Sequence, residues 1–120
     1  MAKVVPIVML LLSMFFVCGQ NSKAEAYDVY VGTYDSGLKA YVMSETLHFY
    51  NNYRSYDITV KAVGYITVYV DYHIWSNGPG EPFQYKNSQG YSGYIQNGSV
   101  EEKINNYAFN EWGKIVTGNR

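Results

Sequence analysis

The sequence predicts an α+β domain: a single antiparallel β-sheet of about five to six strands in meander order, with one C-terminal amphipathic helix packed on one face. Three observations carry this expectation. Residues 56–62 and 66–74 alternate apolar and polar side chains with a period of two, the mark of half-buried antiparallel strands. After Ser99 the apolar spacing lengthens to that of a helix. Everything before Tyr27 has the composition of a leader, which leaves residues 27–120 as one domain.

Tyr27 to Tyr34 alternates loosely, with Tyr27, Val29 and Val31 on one face, and reads as the first strand. Asp35-Ser36-Gly37 is a turn, since Asp and Ser bond to nearby backbone and Gly accepts positive φ. Leu38 to Met43 is a second strand, continued after a bend by Ser44 to Phe49, with Glu45 and His48 facing opposite ways. Asn51-Asn52 turns the chain again. Tyr56, Ile58, Val60 and Ala62 then share a face, opposite Asp57, Thr59 and Lys61. Beyond Gly64, Ile66, Val68, Val70, Tyr72 and Ile74 share a face, opposite Tyr65, Thr67, Tyr69, Asp71, His73 and Trp75. A hairpin at Gly64 is expected, because one unbroken strand from Tyr56 to Trp75 would far exceed the usual length of roughly 3–10 residues.

Asn77-Gly78-Pro79-Gly80 with Pro82 is a loop. Phe83 to Tyr85 is a short strand, Asn87 to Gly90 a turn, and Tyr91 to Ile95 the returning strand. Ser99-Val100-Glu101-Glu102 has the form of a capping box, in which the Ser hydroxyl and the Glu carboxylate each take a free amide. Val100, Ile104, Tyr107, Ala108, Ile115 and Val116 follow at helical spacing, with Trp112 at the stripe's edge. The helix is expected over about 99–117, about four turns at 3.6 residues each, with Gly118 in the stop position. It is expected to cover the face carrying Ile66, Val68, Val70 and Ile74.

The leader reads as a secretory signal peptide. Lys3 supplies a positive end, Val4 to Val17 is apolar apart from Pro6 and Ser13, and Ala24-Glu25-Ala26 is a small-residue cleavage site before Tyr27. The apolar run is shorter than the roughly 20 residues a membrane-spanning helix needs, so no transmembrane segment is expected in the mature chain. The expectation is export, to the periplasm, the cell surface or the medium. The only cysteine, Cys18, lies inside the leader. Lipidation at Cys18 is the alternative to cleavage after Ala26, although Val17 is bulky where lipoprotein processing favours a small residue. Residues 27–120 therefore carry no thiol or disulfide, and packing must replace the covalent staples common in small exported domains.

Nine Lys and Arg against ten Asp and Glu give a net charge of −1. The cations are scattered singly, without the basic stripe that nucleic-acid binding requires. All fourteen tyrosines fall at or after Tyr27, a composition that suits pleated, half-buried surfaces and binding surfaces. No catalytic motif emerges. His48 and His73 lack the spacing of a metal site, and Asp71 with His73 gives two ligands where catalytic zinc usually has three. Neither Ser36 nor Ser92 sits in a nucleophile elbow, and Gly78-Pro79-Gly80 lacks the Lys and following helix of a phosphate loop. Asn97-Gly98-Ser99 matches a glycosylation triplet, but Ser99 already has the capping role. No cofactor, metal or catalytic residue is expected.

Val29-Tyr30-Val31-Gly32-Thr33, then Ala40 to Leu47, and Asn87 to Gly93 are similar to segments of small exported bacterial proteins of unassigned function. More distantly they resemble the surface-adhesin protein E family. The resemblance covers most of residues 29–116 through loose structural motifs. It implies a sheet with a C-terminal helix, binding of host proteins at the cell surface, and pairing into homodimers. A disulfide tying helix to sheet in such relatives has no counterpart here, and no functional residue transfers by position.

If the helix covers one face, the other is left with Tyr65, Tyr69, His73 and Trp75 beside the loop 77–82. That face is read as a binding surface for protein or glycan at the cell envelope, or else as a face buried by another layer or a dimer partner. An inhibitor or helper of a secreted enzyme, acting through a loop within 76–90, and a small hydrolase using Asp71 and His73 are the competing readings.

Overall fold

A computed structural model describes residues 27–118. The leader, with Cys18 and the expected cleavage site at Ala24 and Ala26, lies outside the described residues. The described chain forms one open antiparallel sheet of seven strands and one C-terminal helix. The strands are β1 (Asp28–Thr33), β2 (Lys39–Met43), β3 (His48–Phe49), β4 (Ser55–Val63), β5 (Thr67–Ser76), β6 (Phe83–Asn87) and β7 (Ser92–Tyr94), followed by α1 (Val100–Thr117). The order across the sheet is β1-β2-β4-β5-β6-β7, with the short β3 also paired to β4. The α+β expectation is therefore met.

The clean alternation of residues 56–62 produces β4, whose side chains are alternately half-buried and buried along its length. It is the sheet's spine. Its nine residues all pair with β5, from Ser55 opposite Trp75 to Val63 opposite Thr67. β2 takes one end of its other edge, through Val42 opposite Val60, and β3 takes the other end, through His48 opposite Asp57. The expected strand from Ser44 to Phe49 is thus interrupted. Ser44–Thr46 is a turn of 3₁₀-helix, and only His48–Phe49 regains the ladder. Thr46 holds the detour in place, donating to the Met43 carbonyl at 2.7 Å and accepting from the Thr59 amide at 2.8 Å.

The hairpin at Gly64 is present, but the connection takes Gly64, Tyr65 and Ile66 out of the strands. Ile66 is consequently 50% exposed instead of lying under the helix. In β1 the register shifts between Tyr30 and Gly32. The bulge needs Gly32, whose φ of 151° is rarely available to a residue with a Cβ, and it leaves Val29, Val31 and Tyr34 packed toward the core.

The core lies between α1 and the even-numbered face of β4 and β5. Tyr56, Ile58, Val60, Val70, Tyr72 and Ile74 meet Val100, Ile104 and Ala108, with Ala40 and Val42 from β2. Ser99 caps α1 by accepting from the Glu102 amide at 3.1 Å, while the Glu102 carboxylate takes the Gly98 amide at 2.8 Å. Gly118, in the left-handed region at φ 76°, closes the other end. The buried stripe runs Val100, Ile104, Ala108, Glu111. The expected continuation through Ile115 and Val116 fails, because both are exposed and the last turn stands clear of the core.

Three core tyrosines give their hydroxyls a partner, as burial of a polar tip requires. Tyr56 donates to Asn105 Oδ1 at 2.6 Å, and Tyr72 donates to Glu101 Oε2 at 2.7 Å. The Tyr34 and Tyr72 hydroxyls lie 2.8 Å apart. Each bond ties sheet to helix or strand to loop. Burial pushes the Tyr34 hydroxyl up to about 12, and burial first, then the Tyr34 and Glu101 neighbours, raises Tyr72 further. Tyr56 is raised by burial as well.

Two outcomes follow. Ile104→Ala empties a fully buried position and is expected to cost about 2–5 kcal/mol, against about 1 kcal/mol for Tyr56→Phe, both read from urea unfolding. The folded state keeps Tyr34 and Tyr72 protonated above the unfolded value of 10.0. Stability is therefore intact below pH 10 and falls as pH rises from there toward 12, by about 1.4 kcal/mol per pH unit for each such tyrosine. Thermal unfolding should show that fall, and a Tyr34→Phe, Tyr72→Phe double variant should fall less steeply.

Candidate functional site

Strand alternation sends one set of side chains into the core and the other to the opposite face. Register then arranges the outward set in rows across the strands. Tyr30, Tyr41, Lys61 and Tyr69 form one row, each opposite the next. Thr59 and Asp71 form a second. His48, Asp57, His73, Lys86 and Ser92 form a third, and Ser55, Trp75, Gln84 and Tyr94 a fourth. α1 packs on the opposite face, while Thr46 and Tyr50 reach onto the second and third rows.

Asp57 is the centre of the third row. Its Oδ1 lies 2.7 Å from His73 Nδ1, and its Oδ2 accepts from the Tyr50 hydroxyl. With the Asp57 carboxylate as acceptor, the Nδ1 bond places an imidazole proton on that nitrogen. Donating this hydrogen bond to Asp57 raises the Tyr50 hydroxyl above its ordinary value, the direction expected beside a carboxylate. Around this carboxylate the rings form a chain. His48 meets Tyr50 edge-on at 4.9 Å, Tyr50 meets His73 edge-on at 5.8 Å, and His73 stacks on Trp75 at 5.4 Å and 22°.

The flanking polar groups are partly committed. Thr59 Oγ1 donates to Asp71 Oδ1 at 2.8 Å, and Ser88 Oγ accepts from the Asp71 amide at 2.9 Å. Lys61 bridges to Asp28 at 2.6 Å, which raises its ammonium above the usual lysine value. A shallow groove of about 460 Å³ runs past Asp57, Asp71, His73 and Lys86, and a second, of about 340 Å³, past Ser55, Trp75 and Lys86.

The four residues expected to share a face do not all do so. Tyr69, His73 and Trp75 stand on the open face along β5, whereas Tyr65 sits at the tip of the Gly64 hairpin, 81% exposed. The expected Asp71–His73 partnership is replaced by Asp57–His73 across the strand pair. This is a matter of reach: directly opposed cross-strand side chains are closer than neighbours two apart on one strand. No group of three or more His, Cys, Asp or Glu residues able to hold a metal occurs among the described residues. No hydroxyl or thiol among the described residues bonds to His73 Nε2, so the Asp57–His73 pair orients an imidazole without a nucleophile attached.

Sequence reasoning missed Tyr50, Asp57 and Lys86. Alternation does place Asp57 opposite Ile58, but its position beside His73 depends on the β4–β5 register. Tyr50 comes from an irregular segment, where no periodicity exists to read.

Comparison with protein-family models, curated proteins and solved structures finds no match for this chain.

With side chains about one-third and under one-half exposed, the His73–Asp57 pair is a surface pair, worth at most about 1 kcal/mol. Asp57→Asn and His73→Ala are each expected to change unfolding free energy by no more than about that amount. A larger loss in denaturant titration, about 3 kcal/mol or more, identifies the cluster as part of the core instead.

Proposed function

We propose that this chain is an exported, non-catalytic binding module of the bacterial cell envelope that recognises protein or glycan through its open sheet face. Export follows from the leader's charged end, apolar middle and small-residue exit. The observation that carries the binding role is the open face itself. Tyr69 is 57% exposed there, and the His73–Trp75 stack and the Tyr50–Asp57 pair lie on the same face beyond the Thr59–Asp71 row. Aromatic residues in such number on one surface are the composition of a recognition patch. They are held by the ladder, and Asp57 fixes two rings, so little side-chain entropy is lost on binding. The resemblance to the surface-adhesin protein E family points the same way, by analogy. Pairing into a homodimer through this face belongs to the same reading, since exposed aromatic patches on monomers commonly mark interaction surfaces.

The test is retention of labelled full chain on isolated bacterial envelopes. Tyr69→Ser and Trp75→Ser are each expected to keep the thermal transition within a few degrees and to weaken retention by about tenfold, equal to about 1.4 kcal/mol. Unfolding of either variant reassigns the face to the core. Unchanged retention by folded variants removes the face as the site.

A further inference from the structure

We infer that the paired grooves around His73 and Lys86 bind an uncharged, hydroxyl-rich glycan, with a sugar ring seated beside Trp75; this rests on the open face being the binding surface. The two depressions, about 340 and 460 Å³, meet at His73 and Lys86. Ser55, Trp75 and Ser76 line one, and Asp57, Asp71 and Ser88 line the other. Their sizes fall in the range of small-ligand sites, roughly 300–1,000 Å³. A stable protein partner instead needs a continuous area of about 800 Å² on each side.

The unspent hydrogen bonds define the ligand. Both Asp57 oxygens are committed, to Tyr50 and His73. Asp71 commits one oxygen, to Thr59, leaving the other able to accept. Lys86 makes no ion pair, and the Trp75 indole N–H no hydrogen bond, among the described residues. The grooves thus offer free donors at Lys86 and Trp75 and a free acceptor at Asp71. A vicinal diol answers both, because each hydroxyl can donate and accept at once. Two carboxylates against one ammonium leave a local charge of −1, which opposes an anionic ligand, while Lys86, at the junction of both grooves, opposes a cationic one. The weakly positive C–H faces of a sugar ring match the negative face of an aromatic ring, and Trp75 forms part of the wall of the smaller groove.

The experiment measures labelled full chain on one envelope preparation divided three ways: untreated, protease-digested and periodate-oxidised, the last cleaving vicinal diols. The expected result is retention on untreated and digested envelopes alike and a loss of about tenfold or more after periodate, or about 1.4 kcal/mol. Lys86→Gln and Asp71→Asn, both at exposed positions, are expected to weaken retention by about fivefold each with an unchanged thermal transition. Retention that survives periodate and disappears with protease overturns the glycan assignment and leaves the open-face reading standing. Retention unaffected by Lys86→Gln and Asp71→Asn overturns the groove as the glycan site. Absence of retention on every preparation overturns both readings.

Discussion

The contact between α1 and one face of β4 and β5 governs the rest of this molecule. Ile104 and Ala108 are fully buried against Tyr56, Ile58, Val70 and Ile74. A single helix covers one side of the sheet, and among the described residues no second helix covers the other. Because strand side chains alternate strictly, burying Tyr56, Ile58 and Val60 compels Asp57, Thr59 and Lys61 to face outward. A register slip of one residue would exchange the two sets and place Asp57 in the core. The open face is thus as firmly specified as the core, by the same constraint.

The abundance of tyrosine makes sense in that setting. Without a disulfide in residues 27–120, the domain must gain stability from side chains large enough to fill a thin core. A tyrosine does this only where its hydroxyl finds a partner. Tyr56 finds Asn105, Tyr72 finds Glu101, and Tyr34 finds Tyr72. On the other side, Tyr30 and Tyr41 pack ring to ring at 5.6 Å while their row continues through Lys61 to Tyr69. One residue type thus serves as a core anchor with a tethered tip and as a flat, wettable surface element.

Much of this was legible in the chain. Alternation located β4 and β5 and the faces they present, and the capping residues placed the start of α1 at Ser99 and its end at Gly118. What escaped was whatever depends on partners distant in sequence. The length of β3 is set by how far Thr46 diverts the chain, and a polar hydroxyl bonding backbone in two directions leaves no periodic trace. Tyr65 and Ile66 continue the alternation in sequence, yet the hairpin must spend three residues reversing direction, so they fall out of the ladder. The Asp57–His73 pair belongs to cross-strand register, which a single strand's pattern does not contain.

The two ends of the sheet differ from its open face in what they present to solvent. An exposed edge invites strand addition, and proteins blunt edges with bulges or brevity. Here β1 carries the Gly32 bulge and β7 is three residues long, with Gly93 in a positive-φ conformation. Both edges are therefore poor templates for another strand. The aromatic rows, in contrast, rest on the two longest strands, β4 and β5, paired along their shared length. A recognition surface gains most where the scaffold moves least, since immobilising its side chains then costs little extra entropy. Two long, paired strands beneath Tyr69, His73 and Trp75 are the arrangement found on the open face, in contrast to the blunted edges.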